Sequence, residues 1–278
     1  MFSSYGVWSR LIGSMDNFYQ GWTRAVIILI ILIPFALVRK KIIKIEKEDI
    51  KWLIVFLVFT SMTQAPLFYA FNHMDIGSTS LLFFVSMYLT MNFIGLFFLK
   101  EKLTGIKIIS SLMAITGMYL IFPFSVSSLT LLAALMAIIS GITSGGEVAF
   151  SKKLSSKYSS LYLIILSWVI ILITNFIISI SIGENQIMPS FSITWLWQIC
   201  YSIAAMLGFW LVIAGVKHID AGLGALIGLM EIIFAIIFGI IIFNESLTFT
   251  VTIGGILIIL AVALPNLFNP STKSPSPQ

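Results

Sequence analysis

Residues Gly77–Thr104 read GSTSLLFFVSMYLTMNFIGLFFLKEKLT, and residues Gly222–Thr248 read GLGALIGLMEIIFAIIFGIIIFNESLT. Each begins on glycine and small residues, runs through an apolar stretch, and closes on Glu-x-Leu-Thr, at Glu101 and at Glu245. A single one-residue gap brings the two into register. The match extends upstream, where HMDIG holds His73 and HIDAG holds His218, the chain's only two histidines, 145 residues apart. A second short apolar span follows each copy. This is one supersecondary unit used twice.

The composition says where such a unit lives. Of 278 residues 59% are hydrophobic and 10% charged, against about 25% charged in a soluble domain. Apolar runs of about 20 residues, enough to cross a bilayer, recur along the whole length. The single cysteine, Cys200, excludes an internal disulfide and a cysteine-rich metal site. The N-terminus shows neither a basic leader nor an apolar stretch ending in a small-residue cleavage site, so no cleaved signal peptide is expected.

Nine spans are expected: Trp22–Val38, Trp52–Asn72, Ser78–Leu99, Gly105–Phe122, Leu129–Phe150, Leu161–Ile182, Trp195–Val216, Leu223–Phe243 and Val251–Phe268. Ahead of them, Met1–Ser14 would make a helix of about 21 Å, short of the roughly 30 Å hydrocarbon core. We read it as the outer part of a tenth span, short or truncated at its start; the alternative is an interfacial segment. Arg39–Lys51 holds six Lys/Arg, Lys100–Lys107 three and Ser151–Lys157 three. With Lys217 and Lys273, fourteen of the sixteen basic residues fall on one side of an alternating arrangement. The positive-inside rule puts that side and the C-terminus in the cytoplasm of a cell (inner) membrane. The net charge of +5 is therefore a topology signal, and no nucleic acid is expected as partner. The Pro/Ser-rich tail, residues 269–278, reads as disordered.

Five spans separate the two histidine loops. An odd number makes the copies opposite in orientation, with His73 external and His218 cytoplasmic. The histidines then lie about 30 Å apart and share neither a metal nor a proton. They read as connector residues, with Asp75 and Asp220 capping the helices that follow and Gly77 and Gly222 easing the turns. A gating role coupled to protonation is the alternative.

Further stretches carry a family likeness: GWTRAVI in the second span, APLFYAFNHMDIGSTSLLFF, FFLKEKLTGIKIISSLMAITGMYLI, and the segment from His218 to Ile259. With these the chain resembles the drug/metabolite transporter superfamily, specifically its EamA-like members. The resemblance implies ten spans in two inverted five-helix repeats, here 1–124 and 125–268, with both termini cytoplasmic. The expected fold is thus an all-α polytopic membrane protein.

Charges inside spans suggest function by default. Glu231 lies about 14 Å into its span by helical rise. Gly224, Gly228 and Glu231 follow i, i+4, i+7, so they share a face that permits close helix approach or a cavity. The resemblance supports this position, where a Glu often stands before Pro; here Ile232 follows. Substrate amine recognition, proton coupling and a purely structural hydrogen bond all remain open for Glu231. Ser140, Ser144 and Glu147 repeat the spacing, and Glu147 is close enough to Lys152 to pair with it or reach the interface. Arg24, where the family also tends to carry Arg, and Arg10 would attract an anion or pair with Asp16; for Arg10, snorkelling to headgroups is preferred. Thr60 and Gln64 share a face before Pro66, which should kink that helix. Tyr88, Asn92, Asn175 and Trp210 are weaker candidates, since such aromatics more often serve packing or interfacial anchoring.

There is no Gly-x-x-x-x-Gly-Lys, His-Glu-x-x-His or Gly-x-Ser-x-Gly, so neither a cofactor nor enzymatic activity is expected. The reading is a secondary transporter, an exporter of small organic solutes such as amino acids or related metabolites. Its site would lie between the repeats, driven by protons or by the solute gradient alone. The alternatives are a non-transporting scaffold or assembly subunit of the same fold, and an intramembrane enzyme. The sequence leaves substrate, transport direction, coupling ion and oligomeric state undecided.

Overall fold

Apolar runs that must satisfy every backbone group internally have one local solution, the helix, and the apolar runs among the described residues take it. A computed structural model describes residues 2–38, 45–98, 104–121, 128–155, 157–215 and 221–268, with the backbone alone for 2, 38, 128, 212–215, 221–230, 265, 266 and 268. The helices are α1 (Tyr5–Ile12), α2 (Asn17–Val38), α3 (Ile50–Ser61), α4 (Ala65–His73), α5 (Ile76–Phe98) and α6 (Gly105–Ile121). The series continues with α7 (Ser128–Leu154), α8 (Ser160–Ser181), α9 (Ile193–Gly215), α10 (Ala221–Phe243) and α11 (Phe249–Phe268). Short 3-10 turns at Phe2–Ser4 and Lys47–Asp49 precede α1 and α3. Among the described residues six spans are long and apolar enough to cross a membrane.

Helices in corresponding places of the two repeats pack on each other: α2 on α8, α5 on α10, and α6 on α11. A two-fold-like relation between repeats produces this pattern of self-pairing. The α6–α11 seam shows how close the approach is. A Cβ built on Gly117 would lie 2.7 Å from the carbonyl oxygen of Gly254, and one on Gly254 2.7 Å from that of Gly117. Small residues, not apolar bulk, bring helices together where lipid is as oily as leucine.

The span expected at Trp52–Asn72 is present within Lys47–His73, but its course differs from the expected bend. It is not a kinked helix but two helices, α3 of 12 residues and α4 of 9, broken at Met62–Gln64. Pro66 stands in the first turn of α4, where its missing N–H costs nothing, whereas a continuous helix would put its ring against the carbonyl of Met62. The break leaves backbone carbonyls unpaired within an apolar bundle, and neighbouring helices supply donors. The Ser140 hydroxyl donates to Thr63 O (2.6 Å) and that of Thr143 to Met62 O (3.2 Å), both from α7. From α8, Thr174 and Asn175 reach Ser61 O, each at 3.4 Å. Thr60, in the last turn of α3, donates to Phe56 O of its own helix (2.9 Å), and the break separates it from Gln64.

The two ends of the bundle are closed differently. At the His73 end, carboxylates of the second repeat cap helices of the first. Glu184 accepts from the N–H groups of Phe18 (3.1 Å) and Tyr19 (2.6 Å) at the start of α2. Glu245 accepts from Ile76 N (2.9 Å) and Gly77 N (3.5 Å) at the start of α5. The cap on α5 is therefore Glu245, not the expected Asp75, which stays exposed. Asn244, with φ of 54°, takes the left-handed conformation that ends α10 and turns Glu245 back. Gly77 lies inside α5, where a Cβ would come within 3.2 Å of Ile236 on α10. It serves the contact between helices more than a turn. At the opposite end, Lys157 binds Glu46 (2.8 Å) and Asp49 (3.0 Å), clipping two of the basic segments together. Its ammonium holds the Asp49 carboxyl below the usual range, and Glu46 and Asp49 raise the Lys157 ammonium.

Candidate functional site

Among the described residues Arg24 is the largest fully buried side chain, with 0% exposure. It begins the third turn of α2, about 10 Å along the helix from Asn17 by helical rise. A buried guanidinium must be compensated, and here the compensation is partial. Its Nη1 donates to Gln64 Oε1 (3.1 Å) and its Nη2, weakly, to Gln20 Oε1 (3.4 Å). The guanidinium carbon lies 3.4 Å from the ring centroid of Tyr201 and 4.3 Å from that of Phe68, positions in which the ring faces attract a cation. Among the described residues no carboxylate forms an ion pair with Arg24. The expected partner Asp16 instead accepts from Asn185 N (2.8 Å).

The surrounding cradle comes from both repeats. Gln64 is the last residue of the break and precedes the first turn of α4. Gln20 lies one turn before Arg24 on α2. From α9, Gln198 donates to Gln20 O and Thr23 Oγ1, both at 2.8 Å. Tyr5 of α1 packs edge-on against Tyr201 with ring centroids 4.9 Å apart. Four buried polar atoms here find no hydrogen-bond partner among the described residues: Arg24 Nε, Gln20 Nε2, Gln198 Oε1 and the Tyr201 hydroxyl. Two are donors, one is an acceptor, and the hydroxyl can be either.

The acidic candidates lie on α7 and α10. Glu231 is half-buried on α10. Glu147 is 6% exposed and accepts a hydrogen bond from Ser167 of α8 (3.1 Å). It neither reaches an interface nor pairs with Lys152, as the spacing had suggested. Ser140 serves the break, and Ser144 is half-buried. Gly224 and Gly228 lie on the α10 backbone, in the stretch whose packing is not described.

The remaining candidates lie elsewhere. Tyr88 is half-buried and packs on the core where α5, α6, α7 and α10 meet. Asn92 lines a groove of about 810 Å³ with Trp52, Phe59, Ser111 and Phe150, a largely apolar space between α3, α5, α6 and α7. Trp210 is 47% exposed, against Phe35. Asn175 is used by the break and by the close approach of Gly21. Arg10 does not snorkel. It pairs with Glu245 at 2.6 Å and donates to Phe71 O and Met74 O, each at 2.7 Å. His73 stacks on Tyr69 and bonds to its carbonyl; His218 and Asp220 lie outside the described residues.

Tyr5, Gln20, Gln198 and Tyr201 did not emerge from the sequence. A signal was present in YQGWTR, where Gln20 and Arg24 stand one turn apart, and in QICYS, where Gln198 and Ser202 do the same. Polar residues at i, i+4 in an apolar span mark a wet or hydrogen-bonded face.

A polytopic helical membrane protein built from two repeats, with a buried polar cradle where they meet, has the architecture of a solute carrier. The model of the EamA-like transporter family matches residues 1–122 and 131–267. The chain belongs to that family, within the drug/metabolite transporter superfamily, and its function is accordingly membrane transport of small solutes. No curated protein matches it. Among solved structures, one titled "Crystal structure of protein" is similar in fold, with a TM-score of 0.68 at 14% identity. The alignment covers 97% of this chain and 95% of that one.

Proposed function

We propose that the chain is a secondary transporter that exports small organic solutes, such as amino acids or related metabolites, by alternating access. The solute binds between the repeats in the cradle of α1, α2, α4 and α9, and the repeats rock about it. The observation that carries this reading is the fully buried Arg24 beside a broken helix. Partly compensated charge and interrupted backbone are tolerated inside a bilayer where they line a site. The membrane is the cell (inner) membrane, with the basic segments and the C-terminus in the cytoplasm. The contact of Lys157 with Glu46 and Asp49 supports a shared side for two of those segments. In this orientation the end closed by Arg10 and Glu245 faces outward, which suits loading from the cytoplasm. Coupling runs through Glu231 by proton exchange, or the solute gradient acts alone.

A non-transporting scaffold of the same fold calls for an apolar centre; Arg24, Gln20, Gln64 and Gln198 make it polar. The test is an untargeted metabolite comparison of cells with and without the protein, inside and in the medium. We expect a set of chemically related solutes to move to the medium with the native chain and to stay inside with Glu231→Gln. No solute moving in cells or in proteoliposomes under any gradient would overturn the reading.

A further inference from the structure

Within the cradle the two carboxamide oxygens that the Arg24 guanidinium reaches are used, and two N–H donors remain beside the unpaired Gln198 Oε1 and Tyr201 hydroxyl. Gln20 Oε1 and Gln64 Oε1 already accept from the guanidinium, while Arg24 Nε and Gln20 Nε2 are buried without a hydrogen bond in the protein. Gln64, fixed just before the first turn of α4, and Gln198, bonded to the Gln20 backbone, hold these groups in place. The site thus presents one full positive charge and additional N–H donors between two aromatic faces, Phe68 and Tyr201.

Building on the transporter reading, we propose that Arg24 and Gln20 form an anion subsite that takes the carboxylate of a monocarboxylic solute. Phe68, Tyr201 and Tyr5 hold the adjoining apolar body of that solute. A planar guanidinium matches a carboxylate with two parallel hydrogen bonds. The anion supplies the countercharge that a desolvated cation requires. One guanidinium balances one negative charge. Arg10, the other arginine among the described residues, is committed to Glu245, so a phosphate dianion would bring charge that the cradle does not meet. Gln64 is a positioning residue, because it orients the guanidinium and is reached by the solute through it.

The test uses the full chain in lipid nanodiscs, with tryptophan fluorescence and thermal midpoint as readouts at constant ionic strength. The probes are benzoate and 3-phenylpropionate, each against its neutral amide, with phenyl phosphate as a dianion. We expect saturable binding of the acids, tighter than the amides by about tenfold or more, as expected for a desolvated charge-assisted pair. Arg24→Gln should abolish the preference, and Arg24→Lys should keep part of it. Should Arg24→Gln fail to fold, Gln20→Leu removes one donor from a chain with its charge intact and should shrink the acid preference. Equal binding of acid and amide, no saturable acid binding, preference for the phosphate, or an unchanged preference in Gln20→Leu and Arg24→Gln would overturn the proposal. A chain that still exports solutes but shows no acid preference retires the subsite alone. A chain that exports nothing retires the transporter reading with it.

Discussion

A carboxylate placed at a helix start and a guanidinium placed at a helix end each satisfy orphan backbone groups and complement the helix dipole. Arg10 and Glu245 do both at once. Glu245 takes the first N–H groups of α5, and Arg10 takes the last carbonyls of α4, while the two side chains pair at 2.6 Å. The pair is largely shielded from water, with Glu245 7% and Arg10 20% exposed, so it is worth more than a surface ion pair. Replacing Glu245 by alanine should cost about 1–3 kcal/mol, in the range for a lost cap and charged hydrogen bonds. The Arg10→Gln, Glu245→Ala double variant should lose less than the sum of the singles, because the second change removes a contact already gone. Thermal midpoints of the four proteins measure this; strict additivity would show that the pair does not act as a unit. Nothing local pointed to this arrangement. His-x-Asp-x-Gly named Asp75 as the cap because it stands next to the helix, whereas the carboxylate that arrives comes from the other repeat, about 170 residues away in the chain.

At the scale of the element, the legible part was the apolar run and the illegible part was its interruption. Pro66 gave the sequence reader a kink, since a proline in an apolar span removes one hydrogen bond. Whether a helix bends or breaks depends on donors elsewhere, and those sit on α7 and α8. Ser140 shows the dependence. By spacing alone it was one of a stripe with Ser144 and Glu147, but only the fold shows its hydroxyl on Thr63 O. Ser140→Ala should leave a buried carbonyl unsatisfied, at a cost of about 1–3 kcal/mol. Ser144→Ala, at a half-buried position on the same helix, should stay within about 0.5 kcal/mol of the native chain. Thermal unfolding of both variants in one detergent compares them directly. Equal loss would mean that the break is held by something other than this bond. The same limit hid the cradle around Arg24. The charge itself was visible as an arginine in an apolar span, but Gln64, Gln198, Tyr201 and Tyr5 come from three other helices, and no single-helix pattern joins them.

For the whole molecule, the repeat and the charges make one geometric demand. The segments that contain the basic residues must share a side, and the loops that carry the caps must share the other. Among the described residues both groups meet their own kind. Lys157 reaches Glu46 and Asp49, while residues 184–187 reach Asp16, Phe18 and Tyr19. Helices in corresponding places of the two repeats pack on each other, the arrangement that the proposed inversion of one repeat against the other calls for. Cysteine labelling in whole cells tests the sidedness. With Cys200 replaced by serine, a cysteine at Asn185, in the exposed loop after α8, should react with a membrane-impermeant maleimide. A cysteine at Ser155, beside the Lys157 clip, should react only after the cells are made permeable. The reverse pattern would turn the protein over in the membrane, placing the Arg10–Glu245 latch inside and removing the argument for export. Labelling of both sites in intact cells would break the alternation of spans itself.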